Sequence, residues 1–221
     1  VKKSIFAVSS ALMLVTQAIG FVADYNADFS LANGNPNGNW TYGYTTTLGG
    51  SLNVFTNAAS VPVNSGTLDL WYTPGLSTDF TPSSFKNNSG GTLNGVLDGE
   101  AALHSGPAGQ YAVARFVMPE STLVDVSGMF KSGDIGAVSV YIYVAGVQVF
   151  GNDSTTIDEV FGLSFNAVQG QTIDFIVGTG LNSGYEFDST PLVARIESVP
   201  EPMSLGLAGL AGLLLARRRS L

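Results

Sequence analysis

Trp40, Tyr42 and Tyr44 follow one another at a spacing of two, and Trp71 is followed directly by Tyr72. Flat aromatic faces with polar neighbours are surfaces on which the C–H face of a sugar can stack. The spacing of two places the first three on one face of a strand. The same spacing describes half of a sandwich core, where strand aromatics ordinarily go, so the row has two readings. Polar contacts to a sugar would come from loop residues such as Asn37, Asn39, His104 and Asn182.

The acidic residues suggest a second chemistry. Asp98 with Glu100, and Glu186 with Asp188, could converge with loop carbonyls on a structural calcium, a cation that takes hard oxygen donors. No twelve-residue calcium loop accompanies them, and acidic loop residues are commonly just solvated. His104 is the one histidine and cysteine is absent, which excludes a multi-histidine centre, a thiolate zinc site and a thiol nucleophile. A Ser-His-Asp relay would have to use His104, and no Gly-x-Ser-x-Gly elbow is present. Its neighbour Ser105 does not serve, because adjacent strand residues point to opposite faces. Counting leaves open a carboxylate pair for glycoside hydrolysis among 17 acidic residues, but nothing singles one out. The expectation is a protein that binds rather than catalyses.

The elements that position these residues read as strands. Val138–Val144 alternates, with Val138, Val140, Ile142 and Val144 on one side and Ser139, Tyr141 and Tyr143 on the other. Ile173, Phe175 and Val177 alternate in the same way within 172–177. Segments 111–118, 123–130, 159–165 and 192–198 add four strands, and 39–47, 51–56 and 68–72 are further candidates. Turn-forming Gly, Asn, Asp and Pro separate them; 34–39 reads as a turn, and 86–91 as another turn or a flexible insert. No stretch of the middle has sustained helical periodicity. The pattern predicts an all-β, antiparallel two-sheet sandwich, preferably a jelly roll.

Both ends differ from this middle. Lys2 and Lys3 precede an apolar stretch from Ile5 to about Val15, and small residues follow at Ala18, Gly20 and Ala23. This is the pattern of a removable secretory signal, and a cut after any of the three small residues would fit it. At the other end, Pro200-Glu201-Pro202 leads into an apolar run from Met203 to Ala216 and then Arg217, Arg218 and Arg219. As a helix that run would measure about 21 Å against a hydrocarbon core of about 30 Å, a marginal span. The arginines would stay cytoplasmic and the middle outside. Gly206, Gly209 and Gly212 would let another membrane helix approach closely. The expected division is a signal peptide over 1–23, a sandwich over 24–198 and a tail over 199–221.

Five of the nine basic residues belong to these ends, so Lys86, Arg115, Lys131 and Arg195 are left to face nearly all of the acidic ones. Such a surface repels phosphate and speaks against nucleic-acid binding. Without cysteine, an exported domain must be held by packing alone, or with the help of bound cations.

The C-terminal order of Pro-Glu-Pro, short apolar helix and arginine cluster resembles the PEP-CTERM sorting signal. That resemblance implies a Gram-negative bacterium that makes extracellular polysaccharide. It also implies an exosortase-type membrane protease as partner, with cutting near Pro200, Glu201 and Pro202. The protein would pass transiently through the inner membrane to the cell surface or matrix. Three stretches of the middle, 35–44, 103–116 and 174–190, are similar to the body of a group of PEP-CTERM proteins with galactose-binding-like jelly rolls. The expectation is an exported, non-catalytic surface or biofilm-matrix protein whose sandwich binds extracellular polysaccharide. The alternative is a structural or adhesive component that assembles through protein contacts.

Overall fold

A computed structural model describes residues 20–199, residue 183 apart. The segment expected to be a signal, before residue 20, and the tail residues Pro200, Glu201, Pro202, Arg217, Arg218 and Arg219 lie outside the described residues. Within them the chain forms β1 (Val22–Asp24), α1 (Tyr25–Asp28), β2 (Trp40–Thr45), β3 (Asn53–Val54), β4 (Asn57–Val63), β5 (Gly66–Tyr72) and β6 (Ser83–Asn88). It continues with β7 (Ala101–His104), β8 (Tyr111–Val117), β9 (Thr122–Phe130), β10 (Val138–Val144) and β11 (Val147–Thr155). The last strands are β12 (Glu159–Ala167), β13 (Thr172–Gly178) and β14 (Thr190–Ser198). Among the described residues no helix is long and apolar enough to cross a membrane.

The strands form two antiparallel sheets. One runs β12-β9-β14-β7-β6-β5-β4, and the other β11-β10-β13-β8-β2-β3. Strands β7 to β14 contribute β12-β9-β14-β7 and β11-β10-β13-β8, which is the pairing of an eight-stranded jelly roll. Strands β4 to β6 widen the first sheet and β2 and β3 the second. β14 is shared on one side by two partners, β7 along Thr190–Pro191 and β1 along Arg195–Glu197.

Alternation built this architecture. Val140, Ile142, Ile173, Phe175 and Val177 from one sheet meet Val124, Val126, Leu192, Ala194 and Ile196 from the other in a single core. Each large aliphatic or aromatic side chain buried this way contributes about 1.5–3 kcal/mol. β10 goes further than its pattern predicts, because its polar-side residues are buried too. Tyr141 and Tyr143 pack with Val113 and Ile176 under Leu48 and Leu52, so a loop covers the outer face of this sheet.

Three expectations need correction. The segment 86–91 is no insert: Lys86, Asn87 and Asn88 belong to β6, and Asn87 is buried with its Nδ2 donating to the carbonyls of Gly91 and Val96, both at 2.8 Å. The candidate strand 51–56 shrinks to the two residues of β3. The domain begins before residue 24, because β1 pairs with β14 and Ala23 is core.

Candidate functional site

The loop between α1 and β2 is held by its own amides. Asp24 caps α1 by accepting from Ala27 N at 3.0 Å, and Asp28 Oδ2 accepts from Asp24 N at 3.0 Å and from the Trp40 indole Nε1 at 3.1 Å. Asn37 Nδ2 donates to the carbonyl of Asp28 at 2.5 Å, and Asn33 Nδ2 donates to Asn37 Oδ1 at 3.2 Å. Asn35 fastens the loop to the sheet, donating to the carbonyls of Tyr42 (2.7 Å) and Phe55 (3.0 Å) and accepting from Tyr42 N at 2.9 Å. Gly38, at φ +57°, takes the left-handed conformation at the turn between Asn37 and Trp40.

This arrangement settles the two readings of the aromatic row. Trp40 is 1% exposed and Tyr42 is wholly buried. Trp40 packs edge-on against Tyr25 (5.4 Å between ring centroids) and Phe116 (5.1 Å), and Tyr42 lies 5.2 Å from Phe29. Tyr44, half-buried, stacks on Phe55 at 5.9 Å. Trp71 is buried with its Nε1 donating to the carbonyl of Ser30 at 3.1 Å. Trp40, Tyr42 and Trp71 therefore present no open ring face to a sugar, and the row is sandwich core.

What the loop builds instead is an open groove of about 460 Å³ between the α1–β2 loop, β1 and the end of β8. Phe21, Ala23, Ala27, Phe116 and the edge of Trp40 supply its apolar wall. Asp28, Ser30, Asn33, Asn37 and Asn39 supply polar groups, and Asp28, Asn33 and Asn39 are exposed. Among the described residues Asp28 is the only charged one in this lining. Asn37 and Asn39 are legible as polar loop residues in the sequence. Phe21, Asp28, Ser30 and Asn33 join them only through folding, because β2 pairs with β8 so that Trp40 stands opposite Phe116.

His104 and Asp188 lie at the opposite end of the sandwich, about 30 Å away along β14. His104 Nδ1 is 2.8 Å from the carbonyl of Ser105, and burial pushes its imidazole below the ordinary range. Its ring lies 6.3 Å from Tyr185, whose hydroxyl donates to Asp79 Oδ2 at 3.1 Å. Asp188 is wholly buried; its Oδ2 accepts from the Ser105 hydroxyl at 2.7 Å while Oδ1 has no partner among the described residues. Burial pushes the Asp188 carboxyl up to about 6, with the Ser105 bond opposing and the charge of Asp134 adding to the rise.

The acid pairs do not converge as expected for calcium. Glu186 is exposed while Asp188, two residues on, is buried. Asp98 accepts from Gly90 N at 2.8 Å, and Glu100 is taken by Leu97 N at 3.0 Å and Lys131 Nζ at 2.5 Å. Among the described residues no three His, Cys, Asp or Glu side chains are grouped to hold a metal.

No protein-family model and no curated protein matches the chain. Solved structures with some likeness include the CBM35 from Cellvibrio japonicus Abf62, at 14% identity over 46% of this chain and 74% of that one, with a TM-score of 0.29. A family 35 carbohydrate binding module from Clostridium thermocellum shows 17% identity over 65% and 90%, with a TM-score of 0.30. The CBM51 from Clostridium perfringens GH95, in complex with methyl-galactose, shows 11% identity over 64% and 93%, with a TM-score of 0.32. Likeness at this level carries no argument about binding, which rests on the chain's own residues.

Proposed function

We propose that this chain is an exported, non-catalytic protein of the cell surface or extracellular matrix whose sandwich binds extracellular polysaccharide in the groove beside Trp40. In this reading the segment before Phe21 is a secretion signal. The tail from Pro200 holds the chain in the inner membrane until an exosortase-type protease removes it.

The observation that carries the binding reading is the mixed wall of the groove. A sugar offers apolar C–H faces and a ring of hydroxyls, and the groove pairs the part-exposed Phe21 ring and the exposed Ala27 with the exposed amides of Asn33 and Asn39. Its volume suits one or two sugar rings. A hydrolase acting on glycosides would set two carboxylates about the scissile bond, whereas Asp28 is the single carboxylate of this wall. The test is titration calorimetry of the exported protein against neutral and acidic bacterial polysaccharides, with and without calcium. Saturable binding supports the reading, and a blank panel with a folded protein sinks it.

A second reading, assembly through protein contacts, is favoured by one feature. β11 is an edge strand, with Val147 65% and Val149 45% exposed, and an open edge is a template for pairing with another chain.

A further inference from the structure

The sequence leaves three places where the secretion signal could be cut, after Ala18, Gly20 or Ala23. The fold speaks against the last of them. β1 is a working strand: Val22 stands opposite Glu197, Ala23 opposite Ile196 and Asp24 opposite Arg195. Ala23 is only 6% exposed and belongs to the main core. The Phe21 carbonyl accepts from Ser198 N at 3.0 Å and from Ser198 Oγ at 3.3 Å. The Phe21 ring stacks on Phe116 at 5.9 Å, and Phe116 in turn packs on Trp40. A cut after Ala23 would remove all of these but the Asp24–Arg195 pairing, uncovering Ile196 and Phe116 and taking one wall from the groove.

We propose that the signal is removed by hydrolysis of the Gly20–Phe21 bond, so that Phe21 is the first residue of the mature protein and part of the groove wall. This rests on the export reading above. Gly20 and Ala18 then occupy the two positions before the cut that require small side chains. Every residue that takes part in β1 or its contacts is kept, and the contacts begin at the first residue retained. In the reaction, water adds across the amide; Gly20 leaves with the new carboxylate and Phe21 gains an α-amino group. That group is protonated at neutral pH, its ordinary pKa being about 7.7–8.0. The mature groove therefore has a cation on the wall that Phe21 forms, in addition to the Asp28 carboxylate.

The full chain, expressed in a Gram-negative host and recovered outside the cytoplasm, tests this by intact-mass measurement and sequencing of its N-terminal peptide. A mature N-terminus at Phe21 is expected. An N-terminus at Ile19 or Asp24 overturns the assignment while leaving export standing. A chain recovered only inside the cell with Lys2 and Lys3 still attached overturns both. A companion variant, Gly20→Leu, places a bulky residue before the bond and is expected to abolish the Phe21 terminus. Unchanged cutting at Phe21 in that variant counts against recognition of Gly20.

Discussion

The hydroxyl of Ser105 donates to Asp188 Oδ2 at 2.7 Å, and among the described residues this is the one bond that the wholly buried Asp188 carboxylate receives from a side chain, its Oδ1 having no partner there. Burial without compensation favours the neutral acid, which is why the group is pushed from 3.8 up to about 6. A carboxyl raised in the folded state contributes stability that is fully present below its unfolded value and lost as pH rises through its folded one.

The first prediction follows from that sign. The Asp188 contribution to stability should fade between about pH 4 and pH 6. His104 acts oppositely, since burial favours its neutral form and costs stability as pH falls below 6.5. The diagnostic is therefore the difference in melting temperature between the protein and Asp188→Asn. The variant should gain on the parent as pH rises from about 4 to about 6 and hold that gain above, and a constant difference across pH would refute the assignment.

Trp40→Ala should unfold the domain rather than silence a surface. Truncating a buried aromatic costs about 3–5 kcal/mol, and Trp40 also ties Asp28 to the sheet. Urea denaturation should register this loss in the absence of any ligand.

Asn39→Ala is the cleaner probe of the groove, because Asn39 is exposed on its wall. Loss of one or two sugar hydrogen bonds at about 1 kcal/mol each should weaken polysaccharide binding about five- to thirtyfold. The melting temperature should stay within a degree or so. Calorimetry and thermal melts on the same sample separate the two effects.

Arg115 forks onto Asp174 with bonds of 2.7 and 2.8 Å on the face of the β8–β13 pair. Arg115→Met would leave the largely buried Asp174 carboxylate without its partner, and should cost about 1–3 kcal/mol given the partial exposure of the arginine. Chemical denaturation at low and high salt should show this cost shrinking only slightly with screening.

Much of the sandwich is legible from alternation: β10 and β13 appear where Val138–Val144 and Ile173–Val177 predict them. β11 escaped because its outward residues are apolar, Val147 and Val149 on an open edge, so the inward and outward sets look alike. The two-residue turn at Ala145-Gly146, with φ of 50° and 79°, is the signal that would have found it. β6 escaped because Asn87 and Asn88 resemble a turn, and only the folded carbonyls of Gly91 and Val96 explain a buried asparagine. β1 escaped because it directly follows the apolar stretch that reads as a secretion signal. The groove was half legible: Asn37 and Asn39 stand out as loop amides, but Phe116 reaches them across the β2–β8 register, which no local spacing reveals.

The bond from Ser198 N to the Phe21 carbonyl brings the first and last residues of the sandwich side by side, so the chain is nearly a closed ring. A ring can be opened elsewhere. Joining residue 199 to residue 21 through a short flexible linker and breaking the chain at the Asn64-Ser65 tip of the β4–β5 hairpin should give a circular permutant with the same two sheets. In the protein itself the same closure means that whatever holds one end also holds the other.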